Sequence, residues 1–351
     1  MLVPGPVCPI RVPRVRPAEA LRRTAFLLEA TRADSHRSQA FRRAAATLSA
    51  LPAGQLEVLW RQGRLQDLPH LGPTTAAMVG QALAGEPVPY LQALEEALPP
   101  PPSGPAGDLL AALRGDCHSH SDWSDGASPV DEMAATAAEL GHDYLALTDH
   151  SPRLRVARGL SAERLERQLV LLEGLNSRTA PFRLLSGTEV DILEDGSLDQ
   201  DPGLLARLDL VVASVHSKLA MPAAEMTRRL VAAVAGPDVD VLGHCTGRMV
   251  LGRGRPPSQF DAVEVFGACA RYGTAVEVNC RPERLDPPDE LLEVAVAMGC
   301  RLAVSSDAHA PGQLSWLANG CHKVVAAGGS PGSVVNTMGV DDLLAWTGRG
   351  A

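Results

Sequence analysis

The sequence predicts an α/β protein: a (β/α) barrel of seven strands preceded by a small all-helical domain. Three observations lead there. In the last two-thirds of the chain, short apolar runs end on histidines or acids. Stretches with helical periodicity separate those runs. A proline-rich segment at residues 99–107 divides this part from a front part with helical patterns only. Strand and helix patterns in alternation indicate parallel βα units. Parallel strands that present functional side chains at their carboxyl ends are the layout of a barrel.

At the front, residues 1–17 contain five prolines and three arginines, and a flexible amino terminus is expected there. A helical domain is expected over 18–98. Ala18 to Ala30 and Ser38 to Leu51 carry apolar residues at helical spacing, and Leu65 to Ala76 is a tight turn that opens a new helix. Pro73 suits the first turn of that helix, whose free N–H groups can accept a phosphate. This is the shape of a helix-hairpin-helix. The run Pro99 to Gly107 cannot propagate a helix or a ladder, and is expected to be a stiff linker.

The barrel is expected over 108–351. Its strands are the segment carrying His118 and His120, then Tyr144–Asp149, Arg183–Ser186, Leu210–Val215, Val239–Gly243, Ala275–Asn279 and Leu302–Val304. Between them, Pro129–Leu140, Ala162–Leu175, Ala223–Ala235, Ser258–Tyr272 and Pro288–Met298 have helical spacing. Side chains two apart in an extended chain share a face, so His118 with His120, and Asp307 with His309, can each close on one ion. Nine candidate metal ligands result: His118, His120, Asp125, His150, Glu189, His216, His244, Asp307 and His309. They include six of the ten histidines. His36, His70, His142 and His322 stand outside the pattern. Cys117 and Cys245 sit beside ligands and read as packing residues. Trp123 either walls the pocket or packs a loop.

An apolar content of 45% is enough for a real core. The seven cysteines form no CxxC pair and are odd in number, which fits a reducing compartment. No run of eighteen apolar residues occurs, so no membrane span is expected and the location is read as cytoplasmic. Residues 1–100 hold eleven arginines against eight acids, and residues 101–351 hold twenty-one basic residues against thirty-three acids. The basic bias is concentrated in Arg11 to Arg43. It suits phosphate contact or a solvated helix face equally well.

Phe41-Arg42-Arg43-Ala44-Ala45 and the hairpin at Leu65–Ala76 resemble the amino-terminal helical domain of the DNA polymerase X family, with His70 where that family usually has glycine. Asp116–Gly126, Leu147–Ser151, Gly187–Ile192, Ser214–Ser217, Gly243–Arg248 and Ser306–His309 resemble the PHP (polymerase and histidinol phosphatase) domain. The likeness covers residues 114–347 and is greatest to the copy at the carboxyl end of bacterial family X polymerases. It implies a distorted (β/α)7 barrel that hydrolyses phosphate esters with three divalent ions per chain, Zn²⁺, Mn²⁺ or Fe²⁺. His118, His120, Glu189 and Asp307 would hold one ion, Glu189, His216 and His244 a second, and Asp125, His150 and His309 the third.

Arg248 is the candidate for gripping a phosphate oxygen, with a salt bridge as the alternative. The helical likeness implies DNA contacts through Arg42, Arg43, Leu71, Gly72 and Thr74. A nine-residue linker leaves no room for a polymerase palm, so polymerase activity is not expected. Both lysines, Lys218 and Lys323, lie beyond the linker, so lyase chemistry in the helical domain is not expected either. Three functions stay open: DNA 3′-end processing as an exonuclease, a small-molecule phosphomonoesterase of the histidinol phosphatase kind, or a non-catalytic DNA-binding module. The oligomeric state has no signature in the sequence.

Overall fold

The computed structural model describes residues 15–348, in two compact units that divide between Pro99 and Pro100. The flexible terminus expected at 1–17 lies largely outside the described residues, and Pro17 already opens the first helix.

The first unit contains α1 (Pro17–Ala30), α2 (Ser35–Ser49), α3 (Gln55–Arg61), α4 (Pro73–Ala84) and α5 (Pro89–Glu96). Leu21, Ala25 and Leu28 on α1, with Phe41, Ala44, Ala45 and Leu48 on α2, follow the period of one helical face and are buried together. The second helix starts a turn earlier than the apolar spacing suggested, because the Asp34 carboxylate caps it by accepting from the His36 N–H at 2.7 Å.

The second unit starts with α6 (Pro105–Ala112), which takes over the end of the expected linker. Pro105 stands at the first helical position, where its missing N–H costs nothing. Gly107 is required there, since a Cβ would lie 2.5 Å from the Pro102 carbonyl oxygen. Leu109 on this helix is fully buried in the barrel's core, so the free linker shrinks to residues 99–104.

The βα units follow in order: β1 (Gly115–Ser119), α7 (Val130–Glu139), β2 (Tyr144–Leu147), α8 (Ala162–Thr179), β3 (Arg183–Asp191), α9 (Pro202–Leu205), β4 (Leu210–Ser214) and α10 (Ala223–Val234). They continue through β5 (Val241–Leu242), α11 (Ala262–Tyr272), β6 (Ala275–Asn279), α12 (Asp289–Ala297), β7 (Leu302–Ser305), α13 (Leu317–Ala326) and α14 (Val340–Trp346).

The seven strands are parallel and lie side by side in chain order. The first and last meet where the His120 N–H donates to the Ala308 carbonyl at 2.8 Å and the Asp307 N–H to the His118 carbonyl at 3.1 Å. Lower on the same seam, the Asn336 side chain donates to the carbonyls of Gly115 and Val304, each at 2.8 Å, and accepts from the Val304 N–H at 3.0 Å. This one side chain replaces a missing stretch of ladder. Cys117, Tyr144, Ala146, Leu185, Val212, Val241 and Ala303 fill one core with Leu343 and Leu344 of α14.

Two strands differ from expectation. The third runs five residues beyond Ser186, so Glu189 lies inside a strand. The fifth is only two residues long. No helix among the described residues is long and apolar enough to cross a membrane.

Candidate metal centre

Glu189 is the hub of the site. Paired along β3 with Val212 of β4, its side chain is 1% exposed. Its Oε1 lies 2.7 Å from His244 Nε2 and 3.2 Å from His216 Nε2. Its Oε2 lies 2.8 Å from His150 Nδ1, 3.4 Å from His118 Nε2 and 3.6 Å from His120 Nε2. Five imidazoles from four other strand ends thus converge on one carboxylate.

The remaining ligand candidates surround this hub. Asp307 Oδ1 is 3.4 Å from His120 Nε2 and 3.5 Å from His309 Nδ1. Its backbone is left-handed at φ +53°, a costly conformation for a residue with a Cβ. Asp125 Oδ1 is 3.5 Å from His150 Nε2 and 3.4 Å from His309 Nε2. Three groups have ligand atoms all within 4.8 Å of one another: His120 with Asp125, His150 and His309; His118 with His120 and Glu189; and His150 with Glu189 and His216. Each group shares a residue with each of the others, so seven of the nine candidates form one fused cluster, which His244 joins at Glu189 and Asp307 at His120.

The donor set fits cations. Nδ1 of His120 and of His244 and both ring nitrogens of His216 are buried without a hydrogen bond, which is uncommon for polar atoms that have no further partner. His118 Nδ1 lies 2.6 Å from Glu277 Oε1, which places the ring proton there. The Nε2 lone pair then faces the Glu189 carboxylate and lies 3.1 Å from His120 Nε2. A positive charge between these atoms removes the repulsion.

The electrostatics agree. Burial opposes the charge on Glu189, but His150, His216, His118 and His244 hold its carboxyl well below the usual range. Burial likewise opposes the charge on Asp307, and His120, His118 and Arg281 hold it low. Burial, then His309 and His150, push His120 well below an ordinary imidazole. Burial opposes a charge on His118 and His216 as well, but Glu277 and Glu189 push His118 well above an ordinary imidazole, and Glu189 with Asp191 pushes His216 up to about 9, so a bound cation would displace protons from these two rings.

Several working residues were missed in the sequence. Glu277 is fully buried and spans two ligands: one oxygen meets His118, and the other accepts the His244 backbone N–H at 2.6 Å and Asn279 Nδ2 at 3.2 Å. The only trace of it in the sequence is an acid inside the apolar run Ala275–Asn279. Asp191 holds His216 in the same way, accepting its backbone N–H at 3.1 Å.

A cavity of about 220 Å³ opens onto the cluster, and its wall includes Arg281 and Arg284. Arg284 Nε lies 3.3 Å from Asp307 Oδ2. Arg248, expected to grip phosphate, does not line this cavity. Its Nε donates to the Arg284 carbonyl at 3.0 Å and its Nη2 to the Leu285 carbonyl, so it braces the loop that carries Arg284.

In the helical unit, Arg42 also departs from its expected role. Its Nε and Nη2 each donate to Glu29 at 2.6 Å, and both side chains are buried. Leu71 is a core residue, 5% exposed, and only its backbone could meet a ligand. Arg43, Gly72 and Thr74 are exposed as expected. His70 sits at φ +65°, the left-handed region that favours glycine, which explains why a glycine suits that position. Trp123 packs on the core while its carbonyl accepts from Arg164, so the packing role holds for it. Cys117 and Cys245 are buried.

The PHP domain pattern matches residues 116–325. This chain belongs to the PHP domain family. A helix-hairpin-helix domain pattern also matches residues 13–86. The chain is 38% identical over 240 residues to "DNA polymerase/3′-5′ exonuclease PolX" of Bacillus subtilis, a match covering 68% of this chain and 42% of that protein. It thus spans less than half the length of that relative. It is 29% identical over 233 residues to a "Probable phosphatase" of Thermoanaerobacter sp., covering 63% of this chain and 89% of that one.

A solved structure of histidinol phosphate phosphatase from Lactococcus lactis, complexed with zinc, L-histidinol and phosphate, overlays with a TM-score of 0.42 at 18% identity. That overlay covers 61% of this chain and 92% of that one, and is too distant to bear on the substrate. As a PHP protein with this ligand cluster, the chain is a hydrolase of the phosphoesterase type.

Proposed function

We propose that this PHP barrel hydrolyses phosphate esters at DNA 3′ ends, using three divalent ions. The observation that carries the reading is the single buried carboxylate, Glu189, with five imidazoles within 3.6 Å. His118, His120, Glu189 and Asp307 would hold one ion, Glu189, His216 and His244 a second, and Asp125, His150 and His309 a third. Mixed imidazole and carboxylate ligation suits Zn²⁺, Mn²⁺ or Fe²⁺ alike. Such ions supply Lewis acidity toward the phosphoryl group and ease deprotonation of water.

The protein's own groups do the rest. Arg281 and Arg284 face the cavity and would grip the non-bridging phosphate oxygens. Glu277 keeps the His118 proton on Nδ1 and so leaves Nε2 free as a ligand. Arg248, in turn, fixes the backbone of Arg284.

DNA as substrate is supported by the helix-hairpin-helix pattern and by the start of α4, where Gly72 and Thr74 are exposed beside free N–H groups. A small phosphomonoester is the second reading, favoured by the phosphatase relative matched over 89% of its length.

The deciding assay gives the purified protein Mn²⁺ and either a 3′-labelled duplex or a panel of small phosphomonoesters that includes histidinol phosphate. Release of the labelled 3′ nucleotide, abolished by chelator, is the expected result. Turnover of the small esters alone would select the second reading. No hydrolysis of either substrate, with less than one transition metal per chain by elemental analysis, would overturn both.

A further inference from the structure

The acidity of the barrel is unevenly distributed. Its cavity is walled by Leu154 and Val156 from the loop between β2 and α8, by Met249 from the loop between β5 and α11, and by Arg281 and Arg284 from the loop between β6 and α12. These three loops form part of the rim of the mouth, together with the loops that carry Asp125, His216, Asp307 and His309. Residues 148–161, 243–261 and 280–288 together contain eight arginines and four acids, while the rest of 101–351 contains thirteen basic residues and twenty-nine acids. Two of the four acids in these three loops, Asp149 and Asp286, are buried and cannot neutralise the surface.

Two rim arginines are exposed and, among the described residues, have no side-chain partner. They are Arg155, between two cavity-lining residues, and Arg253, at the tip of the hairpin closed by Met249 and Arg255. Beside them stand the rim's exposed apolar side chains: Val156 at 93% exposure, Val250 at 47% and Leu251 at 39%.

We infer that the mouth of the barrel is itself a track for the unpaired 3′ end of a DNA strand, with Arg155 and Arg253 on flanking phosphates and Val156, Val250 and Leu251 against exposed bases. This rests on the phosphoesterase reading of the same site and names its substrate class. A phosphomonoester brings one phosphate, which Arg281 and Arg284 already face, and leaves the outer arginines nothing to neutralise. A duplex presents its backbone but hides its base faces, so an apolar rim gains nothing from it. A single strand offers both. Arginines that follow the backbone, with apolar contact to base faces, are how sequence-tolerant single-strand binding works.

The test uses the full chain with Mn²⁺ and compares wild type with the Arg155→Glu, Arg253→Glu double variant. One substrate is a single-stranded oligonucleotide and the other is p-nitrophenyl phosphate. The ratio of kcat/KM on the oligonucleotide to kcat/KM on the monoester should fall by about tenfold or more at low salt. The log–log salt slope should shrink by about 0.7 for each phosphate that is no longer neutralised. Binding of a fluorescent single strand in chelator, read by anisotropy without turnover, should weaken in parallel.

The milder Arg155→Gln, Arg253→Gln variant covers the event that charge reversal disturbs folding, and should shift the ratio the same way at an unchanged thermal midpoint. An unaltered ratio in both variants, or equal loss on both substrates, overturns the inference. Wild type that turns over the monoester but not the oligonucleotide also overturns it and leaves the phosphoesterase standing. Wild type inactive on both substrates removes that reading and the track with it.

Discussion

The helical unit is the basic part of this chain and the barrel the acidic part, yet several arginines of the helical unit are already paired, while two at the mouth of the barrel are not. In the helical unit, Arg42 is buried on Glu29, Arg23 pairs with Glu95 at 3.3 Å, Arg64 with Asp67 at 2.7 Å, and Arg37 donates to the Tyr90 hydroxyl. Around the mouth of the barrel, Arg155 and Arg253 stand exposed without a side-chain partner among the described residues, and Arg281 and Arg284 face the cavity while pairing with Asp307 at 3.7 and 3.3 Å. Net charge counts residues, whereas binding depends on which charges are still unpaired and where they point. On the reading proposed above, chemistry and contact with an unpaired strand fall to the barrel, and the helical unit adds the start of α4 and the exposed Arg16, Arg43 and Arg61.

The largest effect expected is at the hub. Glu189→Gln removes a charge that five imidazoles share, and should lower hydrolysis of every ester by more than about a hundredfold, since even outer partners of ligands are worth about ten- to a hundredfold. Metal content by elemental analysis should fall with it, while circular dichroism stays near wild type. By contrast, a protein lacking the helical unit, cut within residues 99–104 so that α6 remains, should keep its activity on small esters. Loss of that activity on removing the helical unit would break the comparison at its root.

Next is Arg42. Arg42→Ala takes two charge-assisted hydrogen bonds at 2.6 Å from the buried Glu29 carboxylate, and should destabilise the helical unit by about 3–5 kcal/mol. Urea denaturation followed by far-UV circular dichroism reads this. The double variant Arg42→Met, Glu29→Leu, which removes both charges, should recover most of the loss. A single variant of wild-type stability would mean the pair is not buried in solution.

Asn336 tests the barrel in the same terms. Asn336→Ala strips three hydrogen bonds from the seam between β1 and β7 and leaves buried backbone groups unpaired, at a cost of about 1–3 kcal/mol for each such group. Because strands pair elsewhere around the barrel, partial relaxation should hold the total near the lower end. Hydrogen exchange should quicken at Val304 first.

What could be read in advance follows the same division. The succession of strands and helices and the nine ligand candidates were legible because a period of two and a ligand candidate at or near most strand ends leave a mark in one dimension. Glu277 was not, since an acid in an apolar strand looks the same whether it faces a ligand or a neighbouring helix. Arg248 was singled out and Arg284 passed over, because both follow strand ends and only the folded loop, where the Arg248 guanidinium donates to the Arg284 and Leu285 carbonyls, shows which of them faces the cavity. Arg42 and Arg43 are neighbours in sequence, and one helical step of about 100° sends one to the core and the other to solvent. The prolines of the linker read as a break, although Pro105 starts a helix.

The smallest effect expected is at Arg43, the counterpart of Arg42 and the most direct check on what the helical unit adds. Arg43 is exposed and its guanidinium has no side-chain partner among the described residues, so Arg43→Ala should leave the unfolding midpoint within about 0.5 kcal/mol of wild type. If it meets one duplex phosphate, DNA affinity at low salt should fall a few-fold, and the log–log salt slope should shrink by about 0.9. Hydrolysis of p-nitrophenyl phosphate should not change, because the barrel carries all nine ligand candidates. Titrating a labelled duplex over a series of salt concentrations measures both quantities. A drop larger than that of the Arg155→Glu, Arg253→Glu variant on single strands would return strand recognition to the helical unit. No drop would confine it to the mouth of the barrel.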